Sequence, residues 1–204
     1  MYLITMPWWL KMFYPLLTWQ IKTDEKVIYL TFDDGPHETA TSFVLNILKK
    51  HNAKATFFCI GKNVQLHPEI YERIINEGHS VGNHTFNHLN GWKVNDENYL
   101  SDIKNASAVI QSKLFRPPYG RIKKSQVKIL QPNYNIIMWS VLSGDFDVNL
   151  SPQKCLNNVI KNTAKGSIVV FHDSAKAMER LAFALPKTLE YFSEKGYVFK
   201  SITM

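Results

Sequence analysis

The most informative segment for the fold lies at positions 27–36 and reads Val-Ile-Tyr-Leu-Thr-Phe-Asp-Asp-Gly-Pro. Its first seven residues are rich in β-branched and aromatic side chains, which predicts a strand over Val27–Asp33. Gly35 and Pro36 then predict a turn. After this turn, apolar residues recur at helical spacing and predict a helix over 38–51. A strand, a tight turn and an amphipathic helix together form the repeating unit of a parallel α/β sheet.

The same alternation continues to the end of the chain. Further strands are predicted at 54–60, 80–83, 134–141, 167–172 and 197–202, and helices at 68–77, 96–114, 152–163 and 178–195. Six or seven such units in roughly 170 residues favour a compact β/α barrel, whose catalytic groups gather at the carboxyl ends of the strands. We find no repeat, low-complexity tract or linker, so the 204 residues are expected to form a single domain.

Composition and charge exclude several classes of protein. Apolar residues make up 45% of the chain, which is enough for a substantial core and argues against a disordered or fibrous protein. The net charge of +7 favours anionic surfaces, but no basic run or aromatic–basic interleaving indicates a nucleic-acid groove. Cys59 and Cys155 are far apart and neither belongs to a CxxC motif, so we expect neither a disulfide scaffold nor a thiolate zinc site.

Residues 1–25 form an aromatic segment ahead of the domain proper, which we place at 26–204. The segment lacks the basic start and the small-residue cleavage site of a signal peptide. Pro7, Lys11 and Pro15 interrupt its apolar run, which disfavours a membrane-spanning helix. We expect it to fold against the domain, and the alternative is an interfacial anchor that makes peripheral membrane contact. The location of the protein stays open between cytoplasmic and membrane-associated.

Polar residues of interest follow apolar, strand-like runs, where a barrel would gather them. They are Asp33, Asp34, His84, Arg116, Asp145 and His172. His84 and His88 are spaced i and i+4, so on a helical turn both imidazoles share one face. Together with Asp34 they offer two nitrogens and one oxygen, a set that suits zinc or another divalent ion such as cobalt or nickel. Three protein ligands leave coordination positions open, as in a catalytic site.

Two further elements indicate acid–base and electrostatic roles. In Arg116-Pro117-Pro118-Tyr119-Gly120 the prolines make the backbone rigid, which suits the Tyr119 amide as an oxyanion donor. His172 leaves a strand of apolar residues and is placed for general acid work, because imidazole titrates near neutral pH. Either Asp145 or Asp173 is expected to hold its ring.

These elements, in this order, resemble the polysaccharide deacetylase family (NodB homology domain, carbohydrate esterase family 4). The resemblance extends from about Val27 to Ile202 and rests on the Thr-Phe-Asp-Asp-Gly and His-Thr-x-x-His motifs. It implies a distorted (β/α)7-type barrel and metal-dependent hydrolysis of the acetamide of N-acetylglucosamine units in a peptidoglycan- or chitin-like glycan. We expect a monomer that binds no nucleic acid.

The resemblance also implies a role for each residue of the motifs. Asp33 would be the general base, Arg116 would steer it, and the Tyr119 amide would stabilise the oxyanion. His172, oriented by Asp145, would protonate the leaving amine. The implied metal ligands are Asp34, His84 and His88, and the implied substrate-binding residues are Pro118, Tyr119, Phe146 and Val170.

The chain departs from the family pattern in its fourth motif. Where the family has Asp-x-x-Asp-Trp, this sequence has Leu142-Ser143-Gly144-Asp145-Phe146. Leu142 replaces the acid that normally holds Arg116, and Asp145 and Asp147 are candidates to substitute for it. Phe146 replaces a tryptophan and keeps an apolar wall for the acetyl group.

Three other functions compete with glycan deacetylation. A hydrolase of a non-glycan amide would use the same metal ligands, and would have a closed pocket instead of a long groove. A glycan-binding homologue that has lost catalysis is favoured by Leu142 and opposed by the intact Asp33 and His172. An iron oxygenase also uses two histidines and a carboxylate, but commonly with a His-x-Asp order that is missing here.

Overall fold

The computed structural model describes residues 2–203 and contains eight strands and eight α-helices within that range. The strands are β1 (Val27–Asp33), β2 (Ala55–Cys59), β3 (Ser80–Asn83), β4 (Leu114–Phe115), β5 (Asn135–Ile136), β6 (Val141–Leu142), β7 (Ile168–His172) and β8 (Val198–Phe199). The helices are α1 (Trp8–Phe13), α2 (Glu38–Lys50), α3 (Gly61–Leu66), α4 (Pro68–Asn76), α5 (Asp96–Ser107), α6 (Lys124–Leu130), α7 (Pro152–Asn162) and α8 (Met178–Glu194).

The strands form one parallel sheet in the order β5-β4-β3-β2-β1-β7-β6, and β8 pairs with the start of β1. The predicted distorted (β/α)7-type barrel is confirmed. Because the strands are parallel, their carboxyl ends meet at one end of the barrel. The register places Asp33 beside both Phe58 of β2 and His172 of β7, so the ends of three strands lie side by side.

One extended segment, residues 135–142, connects the two edges of the sheet. Its first half pairs with β4, where the Ile137 N–H donates to the Phe115 carbonyl (2.8 Å). Its second half pairs with β7, where the Ser140 N–H donates to the Ile168 carbonyl (3.0 Å). The single strand predicted at 134–141 is therefore two short strands, because the chain changes partner in the middle.

The side chains of β1 alternate between two cores. Ile28, Leu30 and Phe32 pack outward against α2 and α8, and the Phe32 ring stacks on Phe57 with centroids 5.1 Å apart. Thr31 and Asp33 face the interior, where both contact the Arg116 guanidinium. This alternation delivers Asp33 to the inside of the barrel mouth.

The helix predicted over 96–114 begins at Asp96 as expected, but the prediction was wrong beyond Ser107. Helix α5 ends at Ser107, and Leu114–Phe115 is a strand. Pairing of Phe115 with Asn83 of β3 outweighs the helical periodicity. The Ser112 hydroxyl also holds this strand in place, because it donates to the Val81 carbonyl (2.6 Å) and accepts from the Leu114 N–H (3.0 Å). The sequence also did not predict α1, α3 and α6, which are only six or seven residues long.

The N-terminal segment packs along residues 135–142, which we call the closing segment of the barrel. Thr5 forms an antiparallel bridge with Val141, and Thr18 forms a parallel one with Ile137. The side chains of Leu17 and Trp19 are buried. None of the helices in residues 2–203 is long and apolar enough to span a bilayer.

Candidate active site

The Asp-Asp-Gly turn redirects the chain at the end of β1. Asp34 has a φ of 83°, in the left-handed region that non-glycine residues seldom adopt, and this turns its carboxylate into the barrel mouth near that of Asp33. A Cβ on Gly35 would lie 2.0 Å from Oδ2 of Asp173, so only glycine fits there. The Gly35 N–H donates to Asp173 Oδ1 (3.0 Å), which fixes the turn.

Asp34, His84 and His88 converge as a candidate metal site. Their ligand atoms all lie within 4.8 Å of one another. Asp34 Oδ1 is 3.1 Å from His88 Nε2 and 3.8 Å from His84 Nε2. Two imidazole nitrogens and a carboxylate oxygen at these separations fit a divalent ion of the zinc type.

The protonation states of His84 and Asp34 also suit metal binding, since metal ligands must be deprotonated. The His84 Nδ1–H donates to the Arg116 carbonyl (2.7 Å), which leaves Nε2 as the acceptor that faces Asp34. Burial lowers the pKa of His84 to about 4, so its ring is neutral at pH 7. Burial acts to raise the pKa of Asp34, but the hydrogen bond from His88 and the nearby histidines lower it well below its usual value.

The loop that carries the two histidines has a strained backbone and is held by a residue of a neighbouring helix. Thr85 and His88 both have positive φ, 64° and 58°. Asp102 of α5 accepts from the Phe86 and Asn87 N–H groups (both 2.9 Å) and from the Asn87 side chain (2.6 Å). This buried carboxylate therefore fixes the loop between the two histidines, a role that sequence reasoning missed because Asp102 sits in an ordinary amphipathic helix.

Arg116 is fully buried and holds Asp33. Its NH1 group donates to Asp33 Oδ1 and to the Thr31 hydroxyl, each at 2.7 Å. Nε and NH2 donate to the carbonyls of Ile137 (3.1 Å) and Met138 (2.9 Å), where the closing segment changes partner.

The structure resolves how Arg116 is held despite Leu142. Neither of the two candidate acids binds Arg116, because Asp145 binds His172 and Asp147 accepts from the Tyr2 hydroxyl (2.9 Å). The backbone carbonyls of Ile137 and Met138 and the Thr31 hydroxyl bind Arg116 instead. No sequence pattern signals such partners, because every residue carries a carbonyl.

His172 is paired with Asp145, as one of the two expected alternatives. Asp145 is buried and accepts twice from the same residue, from the His172 Nδ1–H (2.8 Å) and from its backbone N–H (2.7 Å). Burial acts to lower the pKa of His172, but the Asp145 carboxylate outweighs it and raises the pKa to about 9. Asp173, the other alternative, binds Gly35 and the Thr41 hydroxyl, and burial raises its pKa to about 8.

Tyr119 lies in a 3-10 turn, Pro118–Gly120, with a φ of 59°. Its ring packs on that of His88, one of the candidate metal ligands, with centroids 4.6 Å apart. On the opposite side, Phe146 packs edge-on against His172 at 5.1 Å.

One open cleft of about 1050 Å³ is lined by Asp33, Asp34, His84, His88, Tyr119, Phe146 and His172. Arg116 and Asp145, which bind Asp33 and His172, are buried beneath it. Leu142, Phe146 and Val170 contribute apolar wall, and Tyr119 contributes a further aromatic surface. The sequence did not predict that the N-terminal segment forms part of this wall, through Tyr2, Leu3, Met6, Leu10, Tyr14 and Trp19. Its apolar, aromatic composition is the only signal, and that composition also suits a core or a membrane surface.

A parallel β/α barrel with two histidines and a carboxylate at its mouth, flanked by an Asp–Arg and a His–Asp pair, defines a hydrolase-type centre. Comparison with known proteins specifies the family. The polysaccharide deacetylase family model matches residues 20–133. A peptidoglycan-N-acetylglucosamine deacetylase of Bacillus cereus is 36% identical over 194 residues, which cover 92% of this chain and 91% of that protein.

Solved structures agree with this assignment. The Bc1960 peptidoglycan N-acetylglucosamine deacetylase superposes with a TM-score of 0.89 at 34% identity, over 97% of this chain and 95% of that one. BA3943 of Bacillus anthracis, described as a pseudoenzyme of carbohydrate esterase family 4, superposes with a TM-score of 0.77 at 27% identity, over 90% and 66% of the two chains. The chain belongs to the polysaccharide deacetylase family (NodB homology, carbohydrate esterase family 4), hydrolases of carbon–nitrogen bonds other than peptide bonds.

Proposed function

We propose that this protein removes the acetyl group from N-acetylglucosamine units of peptidoglycan. The observation that carries the proposal is that the Asp34–His84–His88 cluster, Asp33 and His172 line the same cleft, while the buried Arg116 and Asp145 bind Asp33 and His172. Peptidoglycan N-acetylglucosamine deacetylases among the similar proteins support the same reaction.

In this proposal Asp33 takes a proton from the attacking water. Its Oδ1 is bound by Arg116, which orients the carboxylate and leaves Oδ2 for the proton. His172 then donates a proton to the leaving amine, and its pKa of about 9 keeps the ring protonated at neutral pH. The Tyr119 amide, in its rigid turn, stabilises the negative charge that develops on the acetyl oxygen.

Asp34, His84 and His88 would hold a divalent metal ion, which we propose to be zinc, with cobalt or nickel as alternatives. Such an ion, when bound, polarises a carbonyl and lowers the pKa of a coordinated water. The chain's own contribution is to keep Asp34 ionised and His84 neutral with Nε2 facing the site.

The shape and charge of the cleft favour a polymeric, anionic substrate. A cleft of about 1050 Å³ is larger than a small amide requires and accommodates several sugar units. Lys93, Arg121 and Lys176 line it, whereas the only acids among the described lining residues are Asp33 and Asp34. Peptidoglycan carries carboxylates next to its N-acetylglucosamine units and chitin does not, so we propose peptidoglycan as the substrate.

A catalytically weakened homologue is the second candidate, because Leu142 replaces an acid of the family pattern and a similar structure is described as a pseudoenzyme. The contacts of Arg116 oppose it, since the guanidinium still binds Asp33 at 2.7 Å without that acid.

The experiment is acetate release from peptidoglycan fragments, chitin oligomers and small acetamides, before and after chelation and with zinc, cobalt or nickel restored. We expect turnover of peptidoglycan fragments that chelation removes, and that Asp33→Asn lowers by at least about 100-fold. Asp24→Asn, which changes an exposed acid of the same charge, is the matched control and is expected to keep full activity. Metal binding without turnover of any acetylated substrate would establish the weakened homologue instead.

A further inference from the structure

The N-terminal segment exposes six large apolar side chains, which we call the aromatic face: Leu3, Trp8, Trp9, Met12, Phe13 and Leu16. Trp8, Met12 and Phe13 are 73%, 69% and 62% exposed. Scattered single apolar residues are normal on protein surfaces, but six within fourteen positions on and around α1 mark an interaction site.

The opposite side of the same segment is already used for packing. Met6, Leu10 and Tyr14 pack with a core cluster that includes the buried Leu17 and Trp19. The backbone is held by the bridges of Thr5 and Thr18 described above. The aromatic face is therefore presented by a fixed segment, and its side chains are not needed to attach that segment to the barrel.

The sequence around the aromatic face is poor in acids, and the acids that reach it from elsewhere are Asp147, bonded to Tyr2, and Asp96, paired with Lys123. Residues 1–23 include no aspartate or glutamate, and neither do residues 103–144, which contain α6. Lys124 of α6 lies 6.0 Å from the ring centroid of Phe13 and 5.9 Å from that of Tyr14. The positive charge of its neighbour Lys123 is paired with Asp96, so Lys123 does not add a free cation beside the aromatic face. Aromatic rings bordered by a lysine match the headgroup region of an anionic bilayer.

We propose that the aromatic face docks this protein on the surface of an anionic lipid bilayer. Tryptophan rings favour the membrane interface, and Met12, Leu16 and Leu3 would enter the acyl boundary beneath it. A sugar-binding platform would use flat rings without protruding aliphatic chains, and the net charge of +7 opposes association with a second copy. Leu3 belongs both to the aromatic face and to the cleft wall, so docking places the cleft mouth beside the membrane.

The experiment is co-sedimentation of the full chain with vesicles of phosphatidylcholine alone and of phosphatidylcholine with phosphatidylglycerol. We expect binding to the anionic vesicles, weakened by salt, and a loss of at least about tenfold in partition for the double variant Trp8→Ser/Phe13→Ser. Lys124→Gln should weaken binding by a smaller factor. The matched control, Leu66→Ser/Ile75→Ser, removes two exposed apolar residues elsewhere and should bind like the unaltered protein.

Several results would overturn the proposal. Two are vesicle results: no binding to anionic vesicles, or equal binding of the unaltered protein and the Trp8→Ser/Phe13→Ser variant. The other two point to a different partner: the unaltered protein but not the variant is retained by insoluble peptidoglycan or chitin, or light scattering shows a dimer that the variant does not form. Circular dichroism of each variant checks that it folds. Vesicle binding requires no turnover, so a failure of docking is distinguishable from a failure of deacetylation.

Discussion

Backbone strain is concentrated at the residues that form the candidate site. Of the five non-glycine residues with positive φ in the described chain, four lie there: Asp34, Thr85, His88 and Tyr119. Each such conformation costs about 1–3 kcal/mol and persists only where surrounding contacts enforce it. Here the contacts come from buried polar groups, Asp173 behind Gly35 and Asp102 behind the histidine loop.

Thr31 is predicted to be a positioning residue for Arg116. Its buried hydroxyl donates to the Val169 carbonyl (2.9 Å) and accepts from Arg116 NH1 (2.7 Å). Thr31→Val should lower the free energy of unfolding by about 1–3 kcal/mol, because it leaves a buried cation with one acceptor fewer. It should also lower kcat more than it raises KM, since Arg116 would hold Asp33 less firmly. Urea unfolding and steady-state kinetics measure the two effects.

Thr188→Val is a matched control for that variant, since the Thr188 hydroxyl is buried without a hydrogen-bond partner in the described structure. It should leave both stability and kcat almost unchanged. If Thr31→Val behaves in the same way, Arg116 is positioned by its other contacts.

The pH dependence of activity is predicted to report the His172–Asp145 pair. The general acid must be protonated, so activity should persist to about the raised pKa of 9 and be lost as the pH rises through it. In Asp145→Asn the carboxylate that raises this pKa is gone while burial still lowers it, so the alkaline limb should move to lower pH. The pH profile of kcat/KM measures the shift, and an unmoved limb would show that another group carries the alkaline limb.

Among the secondary-structure elements, helix α5 supports the loop that carries His84 and His88, through the carboxylate of Asp102. Asp102 bonds two backbone N–H groups and one side chain between the two histidines. The strands alone would therefore bring His84 to the barrel mouth, whereas His88 depends on a helix that contributes no ligand of its own.

Asp102→Asn should weaken metal binding by about 10–100-fold, since the amide offers one acceptor oxygen where the carboxylate offers two. Titration calorimetry with zinc measures the change. Glu97→Gln, an exposed substitution on the same helix, is the control and should bind zinc like the unaltered protein. Equal affinities for the two variants would mean that the loop keeps its conformation without Asp102.

At the scale of the whole molecule, the site joins distant parts of the chain. Asp34 and the two histidines belong to different β–loop units, so an ion bound between them would link those units only in the folded state. A ligand that binds only the folded protein stabilises it by RT ln(1 + [L]/Kd).

Zinc at about 100 times its Kd should therefore stabilise the protein by about 2.7 kcal/mol and raise Tm, and chelation should reverse the effect. Asp34→Asn should lose most of this response, because it removes the anionic ligand. Scanning calorimetry with and without zinc measures it. A zinc-induced shift that is undiminished in Asp34→Asn would place the ion elsewhere.

Local features of the fold could be predicted from the amino-acid sequence. β1 and β3 have the predicted bounds, and α2, α4, α7 and α8 begin at the predicted residue, because short-range periodicity, caps and prolines set them. The sequence also indicated the family, and with it which residues share a site, because the motifs are short and follow strand ends. The roles of those residues and the boundary at residue 25 stay predictions.

The contacts that hold these residues in place are tertiary. The partners of Arg116 are backbone carbonyls of a segment that changes strand partner, Asp102 reaches its loop from a helix, and the N-terminal segment forms a cleft wall. Such contacts join residues distant along the chain through groups that every residue carries or that ordinary helices contain. No local pattern specifies them, because their partners are brought together by the closure of the barrel.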